Sequence, residues 1–238
     1  LHVRSRRQRQ MCIRDRSTSD VWATTTNWSA SPVPGVGDTA TFNGAGNGNT
    51  ILTVGTISLT NIIFDTSNAA AYTLGASSGT GSITLANGTT TAVMINSSVS
   101  NNQIINANLT LGTAIASTTT FQNNSTTALL TLGGNITGGT GGTAAAKTVI
   151  FTGTGNTTVG GIISNGGATS LAVTKTGAGR LALNGANTYT GTTTIAQGVL
   201  ALGAGASLGN LGGSDIVLGG TSASAGSTAT LTIDPTAT

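Results

Sequence analysis

Short runs in which an apolar residue alternates with Thr or Ala, each closed by a glycine, recur along most of the 238-residue chain. Clear examples are Ile51-Leu52-Thr53-Val54-Gly55, Tyr72-Thr73-Leu74-Gly75, Asn108-Leu109-Thr110-Leu111-Gly112, Leu130-Thr131-Leu132-Gly133 and Ile216-Val217-Leu218-Gly219. Period-two alternation sends successive side chains to opposite faces of a strand. The closing glycine supplies backbone angles that other residues resist. No segment carries an apolar stripe at helical spacing, so the fold class is all-β with no significant helix.

Many short strands suit a sandwich, a barrel or a solenoid. Three features select the solenoid. Aromatic residues make up 3% of the chain, whereas sandwiches rely on large residues to fill the space between sheets. Small side chains suit a narrow, stacked core. There is also an internal echo: Gly134-Asn135-Ile136-Thr137-Gly138-Gly139 is followed 27 residues later by Gly161-Ile162-Ile163-Ser164-Asn165-Gly166. At roughly 20–25 residues per coil and ~4.8 Å between coils, about ten coils are expected.

The formal charge of +3 and the pI near 9.6 point towards a polyanion partner, but the distribution removes that reading. Six of the nine basic residues lie in the first sixteen positions: Arg4, Arg6, Arg7, Arg9, Arg14 and Arg16. His2 and Cys12, the single histidine and cysteine, fall there too. From residue 19 onward three basic and five acidic residues remain, a weakly acidic balance. A body without cysteine suits an oxidising exterior. Residues 1–18 are therefore set apart as a basic prefix. Met11-Cys12-Ile13-Arg14-Asp15-Arg16 resembles a translated transposon end of the kind used in sequencing libraries. A disordered tail is the second reading of the prefix, and a nucleic-acid-binding arm the third.

The segment Leu171–Gly203 is the most specific. Leu171, Val173, Leu181, Leu183, Thr193, Ile195, Leu200 and Leu202 read as inward positions on successive strands. Lys175-Thr176-Gly177-Ala178-Gly179 reads as a turn, with Lys175 and Arg180 in solvent at its corner. The segment resembles the autotransporter-associated β-strand repeat of bacterial passengers. The resemblance rests on Lys175 to Gly179, Leu181, Leu183, Gly185-Ala186-Asn187-Thr188-Tyr189-Thr190-Gly191, Thr193, Gly198 and Leu200. Arg180 and Thr192 depart from it. A second resemblance, to the opening seen before such repeats, rests on Trp22, Asn27-Trp28-Ser29, Pro34, Gly37-Asp38, Ala40 and Phe42. Residues 19–45 are read as a cap or first coils and 46–238 as solenoid. The tryptophans are assigned to the core rather than to a sugar-binding platform.

The resemblance implies a right-handed parallel β-helix, exported and displayed on or shed from a bacterial cell. It also implies a signal peptide upstream and a membrane barrel or other anchor downstream, so the chain is expected to be a fragment at both ends.

Chemistry is sparse. Without His or Cys the body offers no Ser–His–Asp or Cys–His nucleophile and no ordinary zinc site. Gly138-Gly139-Thr140-Gly141-Gly142-Thr143 has the glycines of a calcium-binding repeat but no Asp, and Gly153-Thr154-Gly155 lacks the lysine of a phosphate loop. The Asn-x-Ser/Thr sites at Asn87, Asn96, Asn108, Asn124, Asn135 and Asn156 follow from composition. No catalytic, metal-binding or cofactor residue is assigned, no cofactor is expected, and the chain is read as no enzyme. The leading expectation is a structural, adhesin-like passenger segment whose ligand is a surface or a polysaccharide. Nucleic acid is no partner, the membrane is reached only through an anchor or barrel, and the ends are open to self-association. The alternatives are a carbohydrate-binding or carbohydrate-degrading β-helix using Asp38, Asp65 or Asp215, and an ice-binding solenoid. The ice reading rests on Thr24-Thr25-Thr26, Thr118-Thr119-Thr120 and Thr192-Thr193-Thr194, and their irregular spacing counts against it.

Overall fold

The computed structural model describes residues 10–12, 20–29, 32–44, 50–85, 91–112, 117–139, 145–209, 216–219 and 228–233. Alternation at each strand buries every second side chain, as in Thr118–Asn123 and Ser170–Lys175. The inward side chains are mostly Leu, Ile, Val and Phe. Apart from a single 3-10 turn at Thr25–Asn27, every regular element is a strand.

The strands stack in parallel into three ladders. The wide ladder runs through Thr39–Phe42, Asn61–Phe64, Thr91–Ile95, Thr118–Asn123, Ala146–Thr152, Ser170–Lys175, Thr193–Ile195 and Ile216–Leu218, with Gln10–Cys12 paired ahead of the first. A second ladder starts at Ile51–Leu52 and ends at Ala229–Ile233. A third steps through Thr56–Leu59, Ser82–Leu85, Asn108–Leu111, Ile136–Thr137 and Ile163–Ser164; beyond it, Ala186–Asn187 pairs with Ser207–Leu208. The chain visits the ladders in rotation, which makes a parallel β-solenoid. Ile136 pairs with Ile163 and Thr137 with Ser164, so the 27-residue echo is one turn of the coil.

The chain makes about six full turns, from Thr39–Phe42 round to Thr193–Ile195, followed by a partial turn. The expected ten coils are not there. Turns vary in length: Val173 pairs with Thr193 after 20 residues, whereas Ile62 pairs with Val93 after 31. Extra residues are taken up at the corners, so a chain of this length closes fewer turns than a uniform short repeat would.

In-register pairing stacks like on like along the core. Leu52, Leu74, Ile105, Leu132, Val159, Leu183 and Leu202 form one inward column. Phe42 lies on Phe64 with ring centroids 5.1 Å apart, and Phe121 on Phe151 at 5.3 Å. Stacked rings of this kind contribute about 0.5–1.5 kcal/mol beyond their area. At the start of the coil Trp22 and Trp28 are each 2% exposed and 4.6 Å apart, and both pack on Phe42. The Trp22 indole N–H donates to the Pro34 carbonyl and that of Trp28 to the Trp22 carbonyl. Neither indole offers a face to a sugar.

Backbone crowds backbone where turns stack at corners. A Cβ on Gly134 would strike the Ala107 carbonyl, one on Gly161 the Gly134 carbonyl, and one on Gly185 the Gly161 carbonyl. That column explains why the echo begins with glycine.

Candidate functional site

Asp38 and Asp65 are the described members of the proposed carboxylate set; Asp215 lies outside the described residues. Asp38 immediately precedes Thr39–Phe42, where an oxygen of its carboxylate accepts the Gly35 backbone N–H. Asp65 follows Asn61–Phe64 on the next turn. It accepts the Thr66 backbone N–H and the Asn96 side-chain amide, steadying Thr66 in a left-handed conformation at φ 70°. Thr39 pairs with Asn61 and Phe42 with Phe64, so the two carboxylates sit at opposite ends of the paired strands. Five residues of strand separate their positions, about 16 Å. A glycosidase pair needs roughly 5–9.5 Å. The structure does not bring these two together, and both serve turns. Among the described residues no group of three or more His, Cys, Asp or Glu is placed to hold a metal ion.

The buried cations are where the structure departs most from expectation. Lys175, expected in solvent, is 3% exposed. It occupies an inward position at the end of Ser170–Lys175, and its ammonium turns into the corner that follows. There it donates to the backbone carbonyls of Thr176 and Gly177, both at 2.6 Å, and of Gln197 at 3.3 Å. The last of these belongs to the next turn, so one cation ties two coils. Gly177 and Gly198 have φ of 73° and 78°; a Cβ on Gly198 would meet the Lys175 Nζ at 2.9 Å. Glycine at 198 leaves the room in which the ammonium sits. Burial lowers the Lys175 pKa to about 8. Arg180, by contrast, is exposed as expected.

Lys147 repeats the arrangement one turn earlier. It is buried, donates to the Gly112 carbonyl and to the Ser117 hydroxyl, and burial pulls its pKa down. Tyr189, inside the Asn-Thr-Tyr-Thr-Gly run, is wholly buried and shares a 2.7 Å hydrogen bond with the Thr193 hydroxyl. Its pKa is pushed up to about 12, mainly by burial. These are structural polar anchors. The sequence reading missed the roles of Lys147 and Tyr189; the signal present was Lys147 at the inward phase of its alternating run.

Residues 173–202 hold the caged lysine, its glycines and the buried tyrosine within one and a half turns. The family model of the passenger-associated-transport-repeat matches this segment. The chain carries an autotransporter passenger repeat. No curated protein and no solved structure matches the chain. The passenger repeat coincides with the shortest turn of the coil, Val173 to Thr193. Leu171, Val173, Leu181, Leu183, Thr193, Ile195, Leu200 and Leu202 are all buried, as their alternation requires. The architecture of the passenger repeat extends well beyond the matched residues: the same rotation through three ladders begins at Thr39.

Proposed function

We propose that this chain is a segment of an exported bacterial passenger and serves as a rigid stalk that carries other elements away from the cell surface. The passenger repeat at 173–202, continuous with a parallel coil, supports the reading most directly. Six turns at ~4.8 Å give a stack roughly 30 Å long. Each turn pairs with its neighbours through backbone hydrogen bonds, so length grows by adding turns without a new core design. Trp22, Trp28 and Phe42 close the first turn, and residues 19–45 act as its cap. Adhesion belongs to this reading as a property of the long lateral surface, with an extracellular surface or polysaccharide as the ligand. Structural roles for Asp38 and Asp65 favour the stalk over a glycan-degrading enzyme.

The test places the segment between a signal peptide and an outer-membrane translocator barrel. Protease added to intact cells should reach the segment, and antibody should label it. A segment held in the periplasm would overturn the proposal.

A further inference from the structure

The threonine triplets look irregular in sequence, yet the coil brings two of them into one lattice. Thr118 pairs with Thr148 and Thr148 with Ala172; the Val173–Thr193 pairing then sets Thr192 beside Ala172. In the neighbouring column Thr120 pairs with Ile150, Ile150 with Thr174 and Thr174 with Thr194. Sequence intervals of 30, 24 and 20 residues thus collapse onto one register. Thr119 and Thr193, the middle members of the triplets, point inward and are buried. Thr24-Thr25-Thr26 lies on the 3-10 turn segment and takes no part.

Four adjacent strands therefore present two outward columns with six threonines in eight positions. Adjacent strands set them ~4.8 Å apart along each column, and the pleat sets the columns about 6.6 Å apart. Among the described residues none of the six hydroxyls has a side-chain partner. The face is uncharged: Lys147 and Lys175, the cations of these strands, turn inward. Threonine is stiff at χ1, so its methyl and hydroxyl are held in place with little rotamer entropy to lose on docking.

We propose that this outward face of the wide ladder binds ice. Its two repeats lie close to oxygen spacings of the hexagonal ice lattice, and a fixed array of methyls and hydroxyls without charge suits an uncharged, ordered water surface. A glycan is the weaker occupant: all eight aromatic rings of the chain are buried, leaving none for a sugar to stack on. The third ladder also shows a hydroxyl column, Ser58, Thr84, Thr110, Thr137 and Ser164. Its companion column is different: the Asn108 and Asn135 side-chain oxygens are taken up by backbone N–H groups of the next turn. The wide ladder is the freer array. Ice binding goes beyond the stalk role and does not rest on it; a passenger displayed on cells without ice activity would refute this proposal alone.

Thermal hysteresis and inhibition of ice recrystallisation by the full chain provide the test, with neutral glycan binding measured alongside. The unmodified chain should show both ice activities. Thr120→Lys with Thr174→Lys, both outward substitutions, should abolish them while circular dichroism and the melting temperature stay unchanged. Thr110→Lys on the third ladder should leave them intact. Absence of ice activity in the folded chain would overturn the proposal, and so would equal loss from either face. Binding of a neutral glycan without ice activity would overturn it in favour of a carbohydrate surface.

Discussion

Lys175 shows how much one side chain can carry in a fold this simple. Its ammonium is held by three carbonyls from two successive turns, an arrangement with no carboxylate in it. Hydrogen bonds to a charged group contribute about 1.5–3 kcal/mol each in net terms, and removing the donor strands the acceptors. Lys175→Met, which keeps most of the stem volume, should therefore cost about 2 kcal/mol in urea melts. The pH response separates this lysine from Tyr189. Lys175 titrates near 8 in the folded chain instead of at its ordinary value of 10.5. Between those values the unfolded chain binds more protons, so stability rises with pH. Lys147, also lowered, adds in the same sense. Tyr189 is raised from 10.0 to about 12; above pH 10 the unfolded chain loses that proton first and stability falls. A maximum near pH 10 is expected in urea melts across the range. Lys175→Met should flatten the rising limb and Tyr189→Phe the falling one.

At the scale of the element, the corners set the constraints. Gly153 has φ of 106°, and a Cβ there would strike the Asn123 carbonyl of the previous turn. Gly205 has φ of 71° with nothing within 4 Å of its Cβ position. The left-handed penalty alone is about 1–2 kcal/mol. Gly205→Ala should lose about 1 kcal/mol in chemical denaturation, and Gly153→Ala clearly more because backbone must also move. Equal losses would mean that stacking at the Gly153 corner is looser than the structure shows. The contrast also marks what was legible beforehand. Alternation identified the strands and the inward side of Leu181, Leu183, Leu200 and Leu202, because burial of every second residue leaves a direct imprint on residue type. The Lys175 cage left none, since its partners are backbone carbonyls and any residue supplies those. Lysine's usual preference for solvent then pointed the wrong way. The number of turns was misjudged for a related reason: corners accept insertions freely, so strand spacing in sequence does not measure coil length. The threonine register was hidden by the same insertions.

The molecule as a whole is a stack whose turns communicate through their neighbours, with unlike ends. Trp22 and Trp28 pack over Phe42 at one end. At the other, Ile216, Val217 and Leu218 are exposed, as is Ile233 on the second ladder. Exposed strand edges of this kind template further pairing. Concentration-dependent association through that end is expected in light scattering, and Val217→Lys should weaken it. A clean monomer at every concentration would show that the end is already protected. The Asp38 and Asp65 positions, separated by about 16 Å of strand, were not separable in sequence because only the register places them at opposite ends of their strands.

The most direct test of the solenoid itself is a distance across several turns. Ser58, Thr84, Thr110, Thr137 and Ser164 stand in one column of the third ladder, each paired with the next. Spin labels at positions 58 and 164, after Ser58→Cys and Ser164→Cys with Cys12→Ser, report four turns directly by pulsed electron resonance. A narrow distribution centred near 19 Å is expected from four steps of ~4.8 Å. A broad distribution, or a centre far from that value, would contradict the parallel coil.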